Sequence, residues 1–178
     1  MNSEPLTLNT RAQQIKLLIL DVDGVLTDGR LYYNAKGEEI KSFHARDGLG
    51  IKCLQSMDIE VAVISGRKDR CVEHRVTALG ITHYYAGVHD KAAALADLLL
   101  QTGFSLAETA MMGDDWIDLP ILRQVGLAVT VPEASLLIKQ NAHYVTTATG
   151  GHGAVREVCE FLLAAQNKLN LVLQRYLA

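Results

Sequence analysis

A three-layer, Rossmann-like α/β fold around a central parallel sheet is predicted by three observations. Short apolar runs of strand length alternate with stretches of helix length along the chain, the pattern of a doubly wound sheet. Runs such as Leu17 to Leu20 and Val61 to Ile64 are continuously apolar, as strands covered on both faces are. Successive runs also end in glycine or in side chains able to do chemistry, at the edge where open α/β sheets place ligands. The 178 residues suit one domain with a full core, and no repeat, low-complexity tract or linker divides them.

Taken in order, residues 1–14 are polar and unpatterned, a loose tail or a short helical lead-in. The first strand follows and stops at Asp21. Residues 29–44 break the strand-to-helix alternation and read as a β-hairpin, with Leu31 to Tyr33 and Glu39 to Phe43 as arms and Asn34-Ala35-Lys36-Gly37 as the turn. An apolar, aromatic hairpin projecting from a sheet is a candidate contact between copies of the chain. Asp47 reads as the N-cap of a helix running to about Met57. Ile59 to Ile64 is a second buried strand, ending at Ser65-Gly66-Arg67, and a helix from about Lys68 stops at Gly80. A strand near His83 to Ala86 leads to Asp90-Lys91, which opens an Ala- and Leu-rich helix ended by Gly103. Ser105 and Glu108 have capping-box spacing. Thr109 to Met112 is the fourth main strand, and Pro120 fits the first turn of the helix after it. Leu127 to Val131 is a fifth strand, Glu133 to Gln140 a helix and His143 to Thr146 a sixth strand. From Gly153 to the end the pattern is amphipathic and helical, with residues 168–178 as a C-terminal helix.

Composition excludes several classes of function. Apolar residues make up 49% and charged residues 21%, an ordinary globular balance, and the net charge of −3 gives no footprint for nucleic acid or an anionic membrane. Cys53, Cys71 and Cys159 are scattered and form no C-x-x-C pair, so they read as free thiols in a reducing compartment. The N-terminus lacks an apolar signal segment, and no run reaches membrane-span length. The expected location is the cytoplasm.

The chemistry gathers at the strand ends. Asp21 and Asp23 point the same way if the chain stays extended between them, and two adjacent carboxylates repel unless a cation or proton intervenes. Ser65 ends the second strand, Lys91 follows the third, and Asp114, Asp115 and Asp118 follow the fourth. In a parallel sheet these ends share one edge. Carboxylate oxygens with open positions suit Mg2+, which keeps several waters and bridges to phosphate. Ser65, the Gly66 backbone N–H and Lys91 are donors suited to phosphoryl oxygens. Asp21 is then a carboxylate nucleophile forming an aspartyl-phosphate, and Asp23 a general acid and base. Asp114 is the metal ligand, with Asp115 and Asp118 supporting it from behind. Singly, each motif is an ordinary turn or cap; four in this order at strand ends constitute the signal.

DVDGVLTD, ISGR, Lys91 and GDDWIDLP resemble, in order, the four motifs of the haloacid dehalogenase superfamily. The resemblance implies a sheet of strand order 5-4-1-2-3 (hairpin not counted), with magnesium held by Asp21, the Asp23 carbonyl and Asp114. The insert after the first strand is only a hairpin, so the chain looks capless. FHARDGLGIK and GGHGAVRE are further similar to the small tetrameric members that act on 3-deoxy-D-manno-octulosonate 8-phosphate (KDO 8-phosphate) in lipopolysaccharide precursor synthesis. That likeness implies a homotetramer joined through the hairpins, with a neighbour closing each site. Arg67 and Arg75 are candidates for the sugar-acid carboxylate, since arginine pairs with carboxylate bidentately. Arg46 and Asp28, flanking the hairpin, are further substrate-binding candidates, and His152 reads as structural. The alternatives are a phosphatase for a nine-carbon keto sugar acid or another sugar phosphate and, in another class, a non-enzymatic phosphorelay receiver-like module.

Overall fold

The computed structural model describes residues 6–177. The expected tail is therefore seen from Leu6 onward; its first five residues, and Ala178 of the expected C-terminal helix, lie outside the described residues. Residues 8–14 are a helix, α1 (Leu8–Gln14), rather than a loose tail: Thr7 caps it, Ala12 is buried, and the Gln166 amide donates to the Ala12 and Ile15 carbonyls.

At the centre of the six-stranded sheet is β1 (Leu17–Leu20), all four residues buried. Next comes the hairpin, β2 (Tyr32–Tyr33) and β3 (Glu39–Ile40), whose ladder is far shorter than the arms predicted for it. The turn between them forms as the sequence implies, with Gly37 N–H donating to Asn34 O and the Asn34 side chain accepting from Lys36 and Glu38 N–H. Helix α2 (Ala45–Gln55) leads to β4 (Glu60–Ser65), then α3 (Arg70–Leu79), β5 (His83–Ala86) and α4 (Lys91–Thr102). A capped turn at Leu106–Glu108 precedes β6 (Thr109–Met112), and a second at Trp116–Asp118 precedes α5 (Leu119–Leu122), which holds Pro120 in its first turn. The chain finishes with β7 (Leu127–Thr130), α6 (Leu136–Gln140), β8 (Tyr144–Val145), α7 (Ala154–Ala165) and α8 (Leu169–Leu177).

The sheet order is β5-β4-β1-β6-β7-β8, and every pairing in it is parallel. From β1 the chain builds outward through β4 to β5, returns to β6 on the other side of β1, and builds outward again. This reversal makes the carboxyl end of β1 the topological switch point where such sheets bind ligands. Register brings the site residues level: Leu20 is opposite both Val63 and Met112, so β1, β4 and β6 deliver Asp21, Ser65 and Gly113 to one edge.

Two further elements depart from the expectation. Asp47 does not cap α2; it lies buried in that helix's first turn and accepts from Arg156 N–H at 2.8 Å, at the start of α7. The helical stretch expected from Gly153 to the end is interrupted between α7 and α8, because Asn167 takes a left-handed conformation (φ 58°) and Lys168 N–H turns back to Leu163 O at 2.8 Å; α8 itself falls close to the C-terminal helix expected over 168–178. Among the described residues no helix is long and apolar enough to cross a membrane.

Candidate active site

Directly after β1 the chain folds into a tight loop. The N–H groups of Val25, Leu26 and Thr27 all converge on Val22 O, at 2.9 to 3.3 Å. Gly24 has φ +90°, and a Cβ there would overlap the Asp114 carboxylate, so only glycine lets the two loops approach. The glycine-rich segment before α7 buttresses this loop from behind. Gly151 N–H donates to Val25 O at 3.0 Å, and a Cβ on Gly150 would strike the Gly24 carbonyl. His152 is exposed; its ring Nδ1 lies 2.8 Å from Gly150 O and its backbone N–H donates to Thr149 O at 3.1 Å.

Lys91, the first residue of α4, is 2% exposed and reaches under the sheet edge to Asp21 Oδ1 (2.7 Å) and Asp118 Oδ1 (2.6 Å). Asp118 is fully buried, and its other oxygen accepts from Asp114 N–H and Asp115 N–H at 3.1 and 3.2 Å. A continuous hydrogen-bonded line thus runs from Asp21 through Lys91 and Asp118 to the backbone carrying Asp114. Burial first, then Asp118, pushes the Asp21 carboxyl up to about 7, with Lys91 pulling the other way. Burial, then Asp21, Asp118 and Asp115, pushes Asp114 up to about 7 as well. Burial would lower Lys91, but Asp21 and Asp118 outweigh it and hold the ammonium above its ordinary value.

One Lys91 charge against three carboxylates leaves negative charge in excess. Ligand atoms of Asp21, Asp114 and Asp118 lie within 4.8 Å of one another, and Asp114 Oδ1 is buried with no hydrogen-bond partner. An orphaned buried carboxylate oxygen beside a second carboxylate that is hard to ionise is what a hard divalent cation would satisfy. Asp118 has both oxygens committed already, which leaves Asp21 and Asp114 as the candidate ligands.

A cavity of about 310 Å³ opens above these groups, lined by Asp21, Asp23, Ser65, Gly66, Arg67, Asp114 and Asp115, together with Gly29, Leu31 and Ile117. A roomier cleft of about 590 Å³ lies at the amino ends of β4 and β5, where Asp58, Glu60 and His83 form no comparable convergence. Ser65 is buried and its Oγ accepts from Arg67 N–H at 3.2 Å. The Arg67 guanidinium pairs with Glu39 Oε2 at 2.5 Å and lies 3.8 Å from Asp23 Oδ2. Lys41 of the hairpin bonds Asp23 Oδ1 and lies 3.0 Å from Glu39 Oε1.

Most of the predicted residues are therefore brought together, and three substrate candidates are not. Within one chain, Arg75 stays out of the cavity: it donates to His44 O at 3.2 Å and lies over the Phe43 ring, tying α3 to the end of the hairpin. Arg46 is exposed on α2 and contributes nothing to the lining. Asp28 braces the root of the hairpin, accepting from Arg30 N–H and the Tyr32 hydroxyl. Sequence reasoning missed Glu39, Lys41 and Ile117. For the first two a signal existed: Glu39 and Lys41 stand two apart on an extended arm and share a face.

Fold and site together define a class. The haloacid dehalogenase-like hydrolase family model matches residues 85–158. The chain belongs to the haloacid dehalogenase-like hydrolases. Within that class it is 52% identical, over 160 residues, to the 3-deoxy-D-manno-octulosonate 8-phosphate phosphatase KdsC of Escherichia coli K12, spanning 90% of this chain and 85% of that protein. A structure of 3-deoxy-D-manno-octulosonate 8-phosphate phosphatase from Moraxella catarrhalis, in complex with magnesium, phosphate and KDO, superposes with a TM-score of 0.93 at 41% identity, covering 95% of this chain and 97% of that one. The cobalt-bound phosphatase of Haemophilus influenzae superposes with a TM-score of 0.90 at 44% identity, covering 94% and 99%.

Proposed function

We propose that this chain is a magnesium-dependent phosphatase that hydrolyses KDO 8-phosphate to the free sugar acid and inorganic phosphate, in lipopolysaccharide precursor synthesis. The observation that carries the reading is the buried Asp21–Lys91–Asp118 line beside the unpartnered oxygen of Asp114, at the floor of a cavity in a chain 52% identical to KdsC.

Asp21 attacks phosphorus; an oxygen–phosphorus bond forms to its carboxylate as the bond to the sugar's C8 oxygen breaks. Asp23 donates its proton to that leaving oxygen. Water then attacks the aspartyl-phosphate, Asp23 takes up the water's proton, and phosphate leaves with Asp21 restored. Ser65, the Gly66 N–H and Lys91 hold the phosphoryl oxygens, and Arg67 receives the sugar-acid carboxylate in place of Glu39. Magnesium would be held by Asp21, Asp114 and the Asp23 carbonyl, with Asp115 and Asp118 behind them, and when bound it offsets the charge between nucleophile and phosphate.

Leu31 borders the cavity and Tyr33 stands opposite Glu39, while the hairpin's other face exposes Tyr32 and Ile40, which are partners in register. We assign this apolar face to contact between copies in a homotetramer, which would close a site that has no cap. Three free thiols, two of them buried, suit a reducing cytoplasm. The deciding experiment measures phosphate release, with and without magnesium, from KDO 8-phosphate, its nine-carbon relatives and common hexose phosphates, using the parent chain and Asp21→Asn. KDO 8-phosphate should lead the panel and the variant should be silent. A nine-carbon substrate in first place would overturn the substrate, and turnover by Asp21→Asn would overturn the nucleophile.

A further inference from the structure

Lys41 is nearly wholly covered, with 1% of its side chain exposed, although the neighbouring Ile40 is 53% exposed. This end of the hairpin is turned inside out, with its apolar side chain outward and its charge inward. A lysine is seldom covered unless paired. Here the ammonium is taken up by Asp23 Oδ1 and by Glu39, which in turn pairs with Arg67. Among the described residues, Lys41 is the one side chain within hydrogen-bonding distance of the Asp23 carboxylate; Arg67 stands off at 3.8 Å.

We infer that Lys41 is a positioning residue for proton transfer: it pins Asp23 through Oδ1 and leaves Oδ2, on the Arg67 side, as the oxygen that carries the proton to the leaving group. The hairpin then does two jobs, with its outer face presented for assembly and its inner face aiming the acid. This inference rests on Asp23 acting as the acid, as proposed above. The step it governs is balanced within the site: the Asp21–phosphorus bond forms, the bond from phosphorus to the leaving oxygen breaks, and the proton passes from Asp23 Oδ2 to that oxygen.

A leaving group that is a stable anion needs no proton as it departs, whereas a basic one does. The test compares kcat/KM for p-nitrophenyl phosphate, phenyl phosphate and KDO 8-phosphate, at saturating magnesium, in the parent chain, Lys41→Met, Lys41→Arg and Asp23→Asn. Lys41→Met should lose at least ~10-fold more on phenyl than on p-nitrophenyl phosphate, a fraction of the ~10²–10⁴ that a positioned general acid supplies. Lys41→Arg should recover most of that difference. The ratio between the two aryl phosphates is independent of the fraction of protein folded, so a poorly folding variant still gives a reading. Equal losses on both aryl phosphates would overturn the proposal in favour of a structural lysine. A loss confined to KDO 8-phosphate would overturn it in favour of a substrate contact. Asp23→Asn separates the two readings. If its own loss did not depend on the leaving group, the acid assignment would fall and this inference with it; a dependence there but not in Lys41→Met would overturn the Lys41 role alone.

Discussion

Lys91→Met removes the positive charge from the middle of the buried line while keeping much of the side-chain volume. The Lys91 Nζ stands 2.7 Å from Asp21 and 2.6 Å from Asp118, and the three side chains are 1%, 7% and 0% exposed. At an effective dielectric constant near 20, each contact is worth roughly 6 kcal/mol of gross attraction, most of it offset by the cost of taking the ions out of water. What remains on removing one partner is the penalty of leaving carboxylates buried and unpaired, about 3–5 kcal/mol. The loss must depend on pH. Asp21 already holds its proton up to about 7 against an ordinary value of 3.8, so the folded chain binds a proton that the unfolded chain has released. Stability of the metal-free protein therefore falls as pH rises from about 4 through about 7, and without Lys91 the fall steepens and extends to higher pH. Urea unfolding in EDTA at pH 5 and pH 8 reads this directly. The variant should lie close to the parent at pH 5 and lose most of the 3–5 kcal/mol at pH 8, with an unchanged m-value. A deficit equal at both pH values would mean that packing, not charge, is what Lys91 supplies, and the electrostatic account of the site would be wrong.

Asp114→Ala should raise the magnesium needed for half-maximal phosphate release by more than the ~10–100-fold typical of losing an outer partner of a metal ligand. In EDTA at pH 8 the same change should stabilise the chain, because it removes a carboxyl that burial and its acidic neighbours hold at about 7; calorimetry at the two pH values checks the sign. Ile40→Glu should leave an isolated chain intact, since the residue is half exposed, but should convert the assembly to smaller species in sedimentation velocity. An unaltered sedimentation coefficient would remove the hairpin from the contact. Gly150→Ala should cost about 3 kcal/mol, the upper end of overpacking, because the new methyl meets the Gly24 backbone and not a side chain that can yield; thermal melting should show it together with lowered turnover.

What could be read from the sequence follows the range of the interactions. Asp21, Ser65, Lys91 and Asp114 stand where an apolar run stops or just beyond, a local feature that the parallel register turns into a site. Asp47 was legible as a helix-start residue but not in its role, because its partner, Arg156 N–H, is 109 residues away. The helix break at Asn167 carries no glycine or proline to announce it. The hairpin is the instructive case: alternation and turn chemistry located it, yet a two-residue ladder has no core to decide which face turns inward. That decision is made by the site. Asp23 and Arg67 need opposite charges above them, and Lys41 and Glu39 answer, which leaves Ile40 outside. That arrangement covers a paired lysine while leaving Tyr32 and Ile40, partners in register, exposed on the outer face. The proposed contact between copies would cover that outer face, which would couple pairing at the active site to assembly. On that reasoning, weakening the contact between copies should disturb Asp23 before it disturbs Asp21, which is held from beneath by Lys91 and not by the hairpin.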